Sequence, residues 1–248
     1  MSMTSISIIT VVKNGMPHLG ACIDSVKRQI QSPREHIIID GGSTDGTREL
    51  LASLDNINST TEKDRGISHA FNKGWKKASA EFVCHLNSDD WLESNHISNV
   101  QSIIDNDNPD IIISTMFFDS PQKSRILKPK FPKLPYPKIW FYPQINHPGM
   151  VIRKSLLQSV GGYDENYKLA MDADFFYKAL KLKPKIYCSD QITVHQRSGG
   201  MSQINWEHAI KEMYEIELKH GRFHFTSLLA YYWRITKSRI KNLILGLI

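Results

Sequence analysis

The first half of the chain alternates between short apolar runs rich in β-branched residues and segments whose apolar residues recur at helical spacing. Ile6–Val12 is the first such run, and Pro17 then opens a segment whose apolar side chains share one helical face. The runs ending at Asp40 and at Leu86 repeat this order. Strands that are apolar throughout must be covered on both faces, so the pattern predicts an α/β protein with a parallel sheet.

The same periodicity predicts the other elements. The predicted strands are 6–12, 36–40, 81–86, 110–118 and 185–187. The predicted helices are one from Pro17 to about residue 30, then 47–54, about 67–75, 94–104, 154–160 and 172–182, and one terminal helix from about Trp206 onward.

Positive charge is concentrated in two zones of this 248-residue chain, whose formal net charge is +6. Residues 120–163 contain no acid, and acids are absent again after Glu217. The excess predicts an anionic partner, such as a nucleotide, a phosphorylated carrier or a lipid headgroup. No motif typical of RNA or DNA binding is present, so we do not expect nucleic acid. Seven of the 11 prolines lie between 121 and 148, which predicts a long loop that governs specificity.

Cysteine usage indicates the compartment. The three cysteines, Cys22, Cys84 and Cys188, show no CxxC spacing, which argues against a disulfide framework and a zinc site. We therefore expect a reducing, cytoplasmic environment. No apolar run approaches the roughly 18 residues that span a bilayer, and no signal peptide is expected.

Acidic residues follow three of the early strand and turn segments: Asp40, Asp64 and the pair Asp89–Asp90 in HLNSDDW. In open α/β sheets, ligands bind outside the carboxyl ends of the strands. Carboxylates that converge there need a cation, and oxygen ligands suit Mg²⁺ or Mn²⁺ shared with a phosphate group. The alternative is that Asp89 and Asp90 cap the following helix.

The segment IIIDGGSTDGT, residues 37–47, is a strand followed by a glycine turn and a helix start. It lacks the GxGxxG spacing of dinucleotide-binding proteins. Thr44 and Asp45 are interpreted as helix caps. Asp40 is the stronger ligand candidate, because a carboxylate can accept hydrogen bonds from the N–H groups of uracil or guanine.

Five segments in order, ITVVKN, IIIDGGSTDGT, EKDRGISHAFNKG, LNSDDW and GGYDENYKLAMDADFFYKAL, resemble the family 2 glycosyltransferases of GT-A fold, especially bacterial members that build surface polysaccharides. The resemblance covers about residues 4–203. It implies a single Rossmann-like mixed sheet flanked by helices, within a catalytic domain at 1–205. That domain would divide into a nucleotide-binding half, 1–118, and an acceptor half, 119–205, followed by a basic, amphipathic helical extension at 206–248.

The resemblance also implies roles for individual residues. Asn87, Ser88 and Asp89 stand where the family has its DxD metal motif, so Asp89 is the expected metal ligand. His195 stands where relatives place a further metal or diphosphate contact. The residues implied to bind the nucleotide are Thr10, Val11, Asn14, Asp40, Asp64, Arg65, Asn87 and Ser88. Three departures from common family patterns are present. Gly41 replaces a second acid, Val11 and Lys13 replace the frequent Pro and Tyr at the end of the first strand, and Asn87 replaces the first acid of DxD.

Asp172 occupies the family's catalytic-base position. An inverting transfer needs one base for the acceptor hydroxyl, and a diphosphate leaving group needs charge neutralisation by a metal rather than a general acid. Asp172 and Asp174 both lie at the start of a helix, where either could be a cap. The residue chemistry alone does not distinguish them.

We therefore expect an inverting glycosyltransferase that uses a nucleotide sugar, a UDP-sugar in preference to a GDP-sugar, with Mn²⁺ or Mg²⁺ as cofactor. Its acceptor would be a saccharide or a polyprenyl-linked saccharide in cell-surface polysaccharide biosynthesis. The alternative is a nucleotide-sugar-binding protein of the same fold without turnover, which Asn87 favours.

The basic and aromatic tail, from Phe223 onward, permits two interpretations. It could lie on the anionic inner face of the cytoplasmic membrane as an interfacial helix. It could equally pack on the body of the protein or on another chain.

Overall fold

A computed structural model describes residues 5–55, 57–130 and 145–244. In these residues the chain forms one mixed sheet of nine strands. The strands are β1 (Ile6–Val12), β2 (Glu35–Asp40), β3 (Asn58–Thr61), β4 (Phe82–Asn87), β5 (Trp91–Leu92), β6 (Ile111–Asp119), β7 (Arg125–Leu127), β8 (Val151–Arg153) and β9 (Ile186–Arg197).

Helices cover the sheet and extend the chain beyond it. They are α1 (Leu19–Lys27), α2 (Thr47–Ala52), α3 (Ile67–Lys77), α4 (His96–Asp107), α5 (Lys154–Ser159), α6 (Met171–Leu180), α7 (Met201–Ile204), α8 (Trp206–Lys219) and α9 (His224–Ile244). The predicted alternation of strands and helices in the first half is confirmed.

The strands of the sheet are parallel in one half, and an antiparallel strand interrupts the other half. Its order is β3-β2-β1-β4-β8-β6-β9-β5, with β7 paired to β6. β3, β2, β1 and β4 run parallel, whereas β8 pairs antiparallel with both β4 and β6. The chain leaves β1 towards β2 and β3 on one side and returns to β4 on the other. The gap between the carboxyl ends of β1 and β4 is therefore the point where an open α/β sheet binds its ligand.

Alternation along the strands builds a core on each face of the sheet. Ile9 and Val11 of β1 pack with α3 and α6 residues such as Phe71 and Phe175. Ile6 and Ile8 lie on the opposite side, in a cluster with residues of α1 and α4. Because successive side chains of a strand point to opposite faces, one apolar run supplies both layers.

Two sequence predictions need correction. The predicted strand at 185–187 is much longer, since β9 continues to Arg197. The predicted single helix from Trp206 is two helices, α8 and α9. Gly221 separates them with φ +86°, while Gly221 and Arg222 donate N–H groups to the carbonyls of Leu218 and Glu217. This is the Schellman arrangement that ends a helix at a left-handed residue.

Short strands formed through tertiary pairing were missed. β3, β5, β7 and β8 contain between two and four residues each. The predicted proline-rich loop contains β7, and its residues 131–144 lie outside the described ranges. No helix of the described chain is long and apolar enough to cross a membrane.

Gly221 and Gly20 allow a matched test of the helix break. A Cβ added at either position would meet nothing within 4 Å, but Gly221 has a left-handed φ whereas Gly20 lies within α1. We expect Gly221→Ala to lower the free energy of unfolding by about 1 kcal/mol, and Gly20→Ala to raise it by about 0.5 kcal/mol. Denaturant unfolding measures both. Equal changes in the two variants would contradict the assigned α8–α9 break.

Candidate active site

Two loops at the carboxyl end of the sheet are fastened together. The loop after β1 donates three backbone N–H groups to the loop after β2: Asn14 to Ser43 Oγ at 2.7 Å, Gly15 to Thr47 Oγ1 at 2.9 Å and Met16 to Asp45 at 2.9 Å. The Asn14 side chain accepts a return bond from the N–H of Thr44 at 2.9 Å. Asn14 has φ 55°, a left-handed conformation that asparagine tolerates. The small polar residues of both loops therefore shape one wall of the crevice.

Asp40 lies at the end of β2 and is fully buried. Its Oδ1 accepts hydrogen bonds from the Ser43 hydroxyl at 2.5 Å and the Ser43 N–H at 3.1 Å. These donors stabilise a buried carboxylate without an ion pair. Oδ2 has only a long contact of 3.4 Å with Ser43 N, which leaves it as an acceptor for a ligand.

Gly41 explains how Asp64 reaches the same place. A Cβ at Gly41 would lie 2.2 Å from Asp64 Oδ2, which is far inside van der Waals contact. Asp64 Oδ1 accepts the N–H of Gly66 at 3.0 Å, which orients the carboxylate. The absence of a side chain at position 41 thus makes room for Asp64 beside Asp40. A second acid at 41, as in the common family pattern, would occupy that space.

Three other residues predicted to bind the nucleotide, described next, contact other residues of the protein. Thr10 is fully buried, and its hydroxyl lies 2.9 Å from His36 Nε2. Val11 packs in the core cluster that also contains residues of α3. Arg65 forms an ion pair with Glu165 at 2.5 Å. A nucleotide-binding role for these residues stays a prediction.

The tandem aspartates have different environments. Asp90 is buried and accepts hydrogen bonds from Asn87 Nδ2 at 2.9 Å and from the N–H of Arg197 at 3.0 Å. Burial and the neighbouring Asp89 charge raise its pKa well above the usual value. Asp89 is half-buried and makes no hydrogen bond or ion pair with the described residues. Asp90 thus joins the end of β4 to β9, whereas the carboxylate of Asp89 has no partner among the described residues.

His195 lies next to this turn because β5 pairs with β9. Trp91 is opposite His195 in the register, and the two rings stack with centroids 4.9 Å apart. Nε2 of His195 lies 2.5 Å from Glu93 Oε1. A carboxylate acceptor places the ring proton on Nε2, so the lone pair is on Nδ1. Metal-binding histidines commonly show this arrangement.

The oxygen donors at this turn fit a divalent ion that shares its ligands with a diphosphate. Among the described residues, no group of three or more histidine, cysteine or acidic side chains could hold a metal alone. The buried Asn87 Oδ1 has no hydrogen-bond partner, and the Asp89 carboxylate is open. Mg²⁺ and Mn²⁺ are commonly held by one or two carboxylates plus substrate phosphates. The neutral Asn87 is compatible with this donor set.

Arg197 was not singled out in the sequence. Its guanidinium lies 5.1 Å from the Trp91 ring, and its buried Nε has no hydrogen-bond partner. Its backbone N–H holds Asp90, as described above. The charge of Arg197 acts on Asp90, whose pKa it lowers, so Arg197 brings a positive charge to the turn that also contains Asp89. His195, two residues earlier, was the signal near it in the sequence.

Asp172 lies in the first turn of α6, on a segment fastened to the Asp64 side of the crevice. Asn72 of α3 binds the backbone of Tyr163 through both side-chain atoms, at 2.9 Å each, and Ser68 donates to the carbonyl of Tyr167 at 2.5 Å. The Arg65–Glu165 ion pair adds a third connection. Burial raises the pKa of Asp172 to about 6, although its Oδ1 accepts the N–H of Ala173 at 2.9 Å.

Glu212 of α8 holds the turn that precedes Asp172. Its carboxylate accepts the backbone N–H groups of Lys168, Leu169 and Ala170 at 2.8 to 3.2 Å. Its negative charge contributes to the raised pKa of Asp172. The sequence analysis missed Glu212, because an acid within an amphipathic helix usually faces solvent. The C-terminal extension therefore contributes directly to the geometry of the proposed base.

Asp174 has a different role from Asp172. Its fully buried carboxylate lies 2.8 Å from Lys219 Nζ, 2.9 Å from His220 Nε2 and 3.1 Å from Lys178 Nζ. Hydrogen bonds from these groups hold its pKa well below the usual value despite burial. A carboxylate with three such partners joins α6 to α8 and cannot also act as a base.

A buried ring cluster lies behind β4. His85 and His147 have centroids 5.4 Å apart and both contact Phe71 and Tyr163. Burial lowers the pKa of His147 to about 4, so the ring is neutral. The pKa of Tyr163 is raised by burial and by the charge of Asp172, which indicates that the cluster lies near α6.

Relatives with similar sequences are glycosyltransferases. An uncharacterised glycosyltransferase of Rickettsia typhi is 28% identical over 202 residues, which cover 77% of this chain and 63% of the relative. The PGL/p-HBAD biosynthesis glycosyltransferase of Mycobacterium bovis is 26% identical over 204 residues, covering 79% of this chain and 78% of that protein. The chain thus spans less than two thirds of the Rickettsia relative.

Solved structures show the same fold. Residues 1–349 of S. aureus TarS, in complex with UDP-GlcNAc, match with a TM-score of 0.67 and 20% identity over 90% of this chain and 69% of that chain. The mannosyltransferase PcManGT of Pyrobaculum calidifontis, in complex with GDP-Man and Mn²⁺, matches with a TM-score of 0.68 and 14% identity over 97% and 74%. The predicted GT-A fold, with its mixed sheet and C-terminal helices, is confirmed.

The family model that matches the sequence is described as Glycosyl transferase family 2 and covers residues 7–159. The match includes the crevice acids Asp40, Asp64 and Asp89, and Asp172 lies beyond it. Because the matched residues make up more than half of the chain, the chain belongs to glycosyl transferase family 2.

Proposed function

We propose that the protein is an inverting glycosyltransferase that moves a sugar from a nucleotide donor to a saccharide or polyprenyl-linked saccharide. A UDP-sugar is the preferred donor and a GDP-sugar the second choice. The acceptor class and the role in cell-surface polysaccharide biosynthesis follow from the family resemblance. Family membership and the separation of two acidic sites, one for the donor and one for the acceptor, support the proposal.

The observation that carries the proposal is the environment of Asp172. Its pKa, raised to about 6, makes it a carboxylate at neutral pH that is more basic than an exposed aspartate. Asp174, two residues away, is held by Lys178, Lys219 and His220. Different environments for two neighbouring acids are typical of a site in which only one transfers a proton.

At the donor end, Asp40 and Asp64 would hold the base and ribose. Asp40 Oδ2 can accept the N–H of a uracil or guanine ring, while Asp64 is positioned beside it by Gly41. The diphosphate would lie at the turn that contains Asp89, near the guanidinium of Arg197. A divalent ion bound there by Asp89 and Asn87, with His195 as a further candidate, would neutralise the charge of the leaving diphosphate.

In the transfer step, Asp172 takes the proton of the acceptor hydroxyl while its oxygen attacks C1 of the donor sugar. The attack comes from the face opposite the nucleotide, so the bond from C1 to the diphosphate oxygen breaks with inversion. Glu212 fixes the turn before Asp172, and Tyr163 packs near it. No general acid is required, because the leaving diphosphate keeps its electron pair as an anion.

A binding protein without turnover is the second candidate. Asn87 favours it, since this residue removes one negative charge from the expected metal site and gives its amide group to Asp90. Nucleotide binding that persists without transfer to any acceptor would support this candidate. We propose a cytoplasmic location for either candidate function, and the free cysteines Cys22, Cys84 and Cys188 are consistent with it.

Asp172→Asn tests the catalytic base. The amide keeps the size of the side chain but cannot take a proton, so we expect transfer to fall at least about 100-fold with little change in nucleotide affinity. In the unmodified protein, kcat/KM should fall as the pH drops below about 6, because Asp172 becomes protonated. Release of UDP or GDP with acceptor measures the rate. Asp24→Asn on the exposed side of α1 is the control, and full activity of Asp172→Asn would remove Asp172 from the mechanism.

Glu212→Gln tests how α8 acts on the base. Removing the charge removes one cause of the raised Asp172 pKa, so the acid limb of the kcat/KM profile should move to lower pH. The amide oxygen still accepts backbone N–H groups, which limits unfolding. Glu215→Gln on the same helix is the matched control and should leave the limb in place. An unchanged limb in Glu212→Gln, together with an unchanged rate, would contradict the positioning role.

Titration calorimetry can test the base-binding end of the proposed donor site separately from its metal-binding end. Gly41→Ala places a Cβ 2.2 Å from Asp64 Oδ2 and should weaken UDP or GDP binding about tenfold, with or without Mn²⁺. Asp89→Asn should weaken only the Mn²⁺-dependent part of the affinity. Gly20→Ala is the control for the added methyl group. Identical effects of Mn²⁺ in the unmodified protein and in Asp89→Asn would refute the metal role of Asp89.

A further inference from the structure

The outward face of α9 carries exposed apolar side chains from its first turn to its last, with the exposed Thr236 among them. Six of its side chains recur at spacings of three, four and seven residues and therefore lie on one stripe of the helix. They are Phe225, Leu229, Tyr232, Trp233, Ile240 and Leu243. Together with Phe223, just before the helix, they are between 53% and 81% exposed. We refer to these seven residues as the α9 stripe.

The inward side of the same helix combines polar and aromatic contacts with half-buried apolar residues such as Leu228 and Ile235. Ser227 is fully buried, and Arg234 forms an ion pair with the buried Glu217 of α8 at 2.7 Å. Tyr231 packs against Tyr214 of α8 with ring centroids 5.5 Å apart. A helix on a water-soluble body normally buries its apolar face and exposes its polar face. α9 instead leaves the apolar α9 stripe exposed, while polar and aromatic contacts on its other side hold it to α8.

The concentration of exposed apolar groups is local. Half of the large hydrophobic side chains exposed in the described chain belong to the α9 stripe. The others, such as Ile30 and Leu182, are dispersed over the rest of the described surface. Single exposed apolar residues are ordinary on protein surfaces, whereas a contiguous patch indicates an interaction site.

Basic residues surround the α9 stripe. Several of them pair with acids elsewhere in the chain: Arg222 and Arg234 with Glu217, Lys219 with Asp164 and Asp174, and Arg239 with Glu207. Residues 218–248 contain no aspartate or glutamate, and the basic residues among them are Lys219, Arg222, Arg234, Lys237, Arg239 and Lys241. The Nζ atom of Lys237 lies 4.7 Å from the centre of the Trp233 ring, so a positive charge directly borders the stripe. Tryptophan, tyrosine and lysine side by side are typical of helices at a membrane–water interface.

We propose that the α9 stripe docks on the surface of an anionic lipid bilayer, with the helix axis parallel to the membrane plane. The apolar and aromatic side chains enter the boundary between headgroups and acyl chains, and the basic residues bind the anionic headgroups. The proposal goes beyond sugar transfer, since it concerns a surface that does not include Asp172 or the crevice acids. It would hold equally for a binding protein without turnover.

Charge distinguishes this partner from a second copy of the chain. In a twofold dimer the same patch meets itself, so Lys237 and its basic neighbours would face a surface with the same charge. Among the described residues, Lys237 has no acidic partner, whereas Arg239 pairs with Glu207 of α8. An anionic bilayer satisfies both the apolar stripe and its basic border.

A vesicle sedimentation assay with the full chain tests the proposal. Vesicles of phosphatidylcholine mixed with phosphatidylglycerol should bind the protein, and vesicles of phosphatidylcholine alone should bind it at least about tenfold more weakly. Added salt should weaken binding to the mixed vesicles. Absence of binding to the mixed vesicles at low salt, or equal binding to both kinds, would overturn the proposal.

Matched variants locate the contact. Leu229→Ser combined with Trp233→Ser should weaken binding at least about tenfold, because two apolar groups that would be buried in the bilayer are lost. Lys237→Gln should weaken it about fivefold through the loss of one charge near the surface. Ile30→Ser combined with Leu182→Ser removes equally exposed apolar groups elsewhere and should leave binding unchanged. If the variant with both Leu229→Ser and Trp233→Ser bound vesicles as tightly as the wild type, the contact would lie on another surface.

Two further measurements separate the possible failures. Light scattering without vesicles should give the same mass for the wild type and for the Leu229 and Trp233 variant. A wild-type dimer that dissociates in this variant would assign the α9 stripe to a second copy and overturn the bilayer proposal. Nucleotide binding in the variant should remain at the wild-type level, so loss of membrane binding is distinguishable from failure of the proposed transferase site.

Discussion

A buried carboxylate must be given hydrogen-bond donors or positive charge, and this constraint divides the acids of the protein into two groups. Asp90, Asp174 and Glu212 are bound by residues of other elements, and they hold those elements together. Asp89 makes no hydrogen bond or ion pair with the described residues, and the hydrogen bond that Asp172 accepts from Ala173 comes from the next residue of its own helix. The acids that join elements fix the positions of Asp89 and Asp172.

This division makes α8 part of the proposed active site. The sequence predicted that residues 206–248 form an extension, whereas Glu212 holds the turn before the proposed base and Lys219 binds Asp174 of the base-bearing helix. The second helix of the extension, α9, is fixed to α8 through the Arg234–Glu217 ion pair. Its proposed membrane surface is therefore connected to the acceptor end of the site by direct contacts.

Local patterns predicted much of the fold and most of the candidate site. Continuous apolar strands, such as Ile6–Val12, predicted the parallel half of the sheet, and strand ends identified Asp40 and Asp89. Patterns failed where pairing depends on distant partners: the two-residue strand β5 exists because Trp91 and Leu92 pair with β9. They also missed the chain reversal at Gly221, since a lone glycine within a helical pattern is tolerated as often as it ends a helix.

By itself, the sequence determined the fold class, the family and the set of acids at the carboxyl end of the sheet, because these depend on residue type and spacing along the chain. Only the tertiary structure decided which acids accept hydrogen bonds from other elements of the protein. Asp89 and Asp90 are adjacent and chemically identical, yet Arg197, more than one hundred residues away, donates only to Asp90. It likewise decided that the side of α9 that carries Arg234 faces the protein, because Glu217 of another helix is the partner of Arg234. Such assignments depend on donors that meet in space, which no local pattern records.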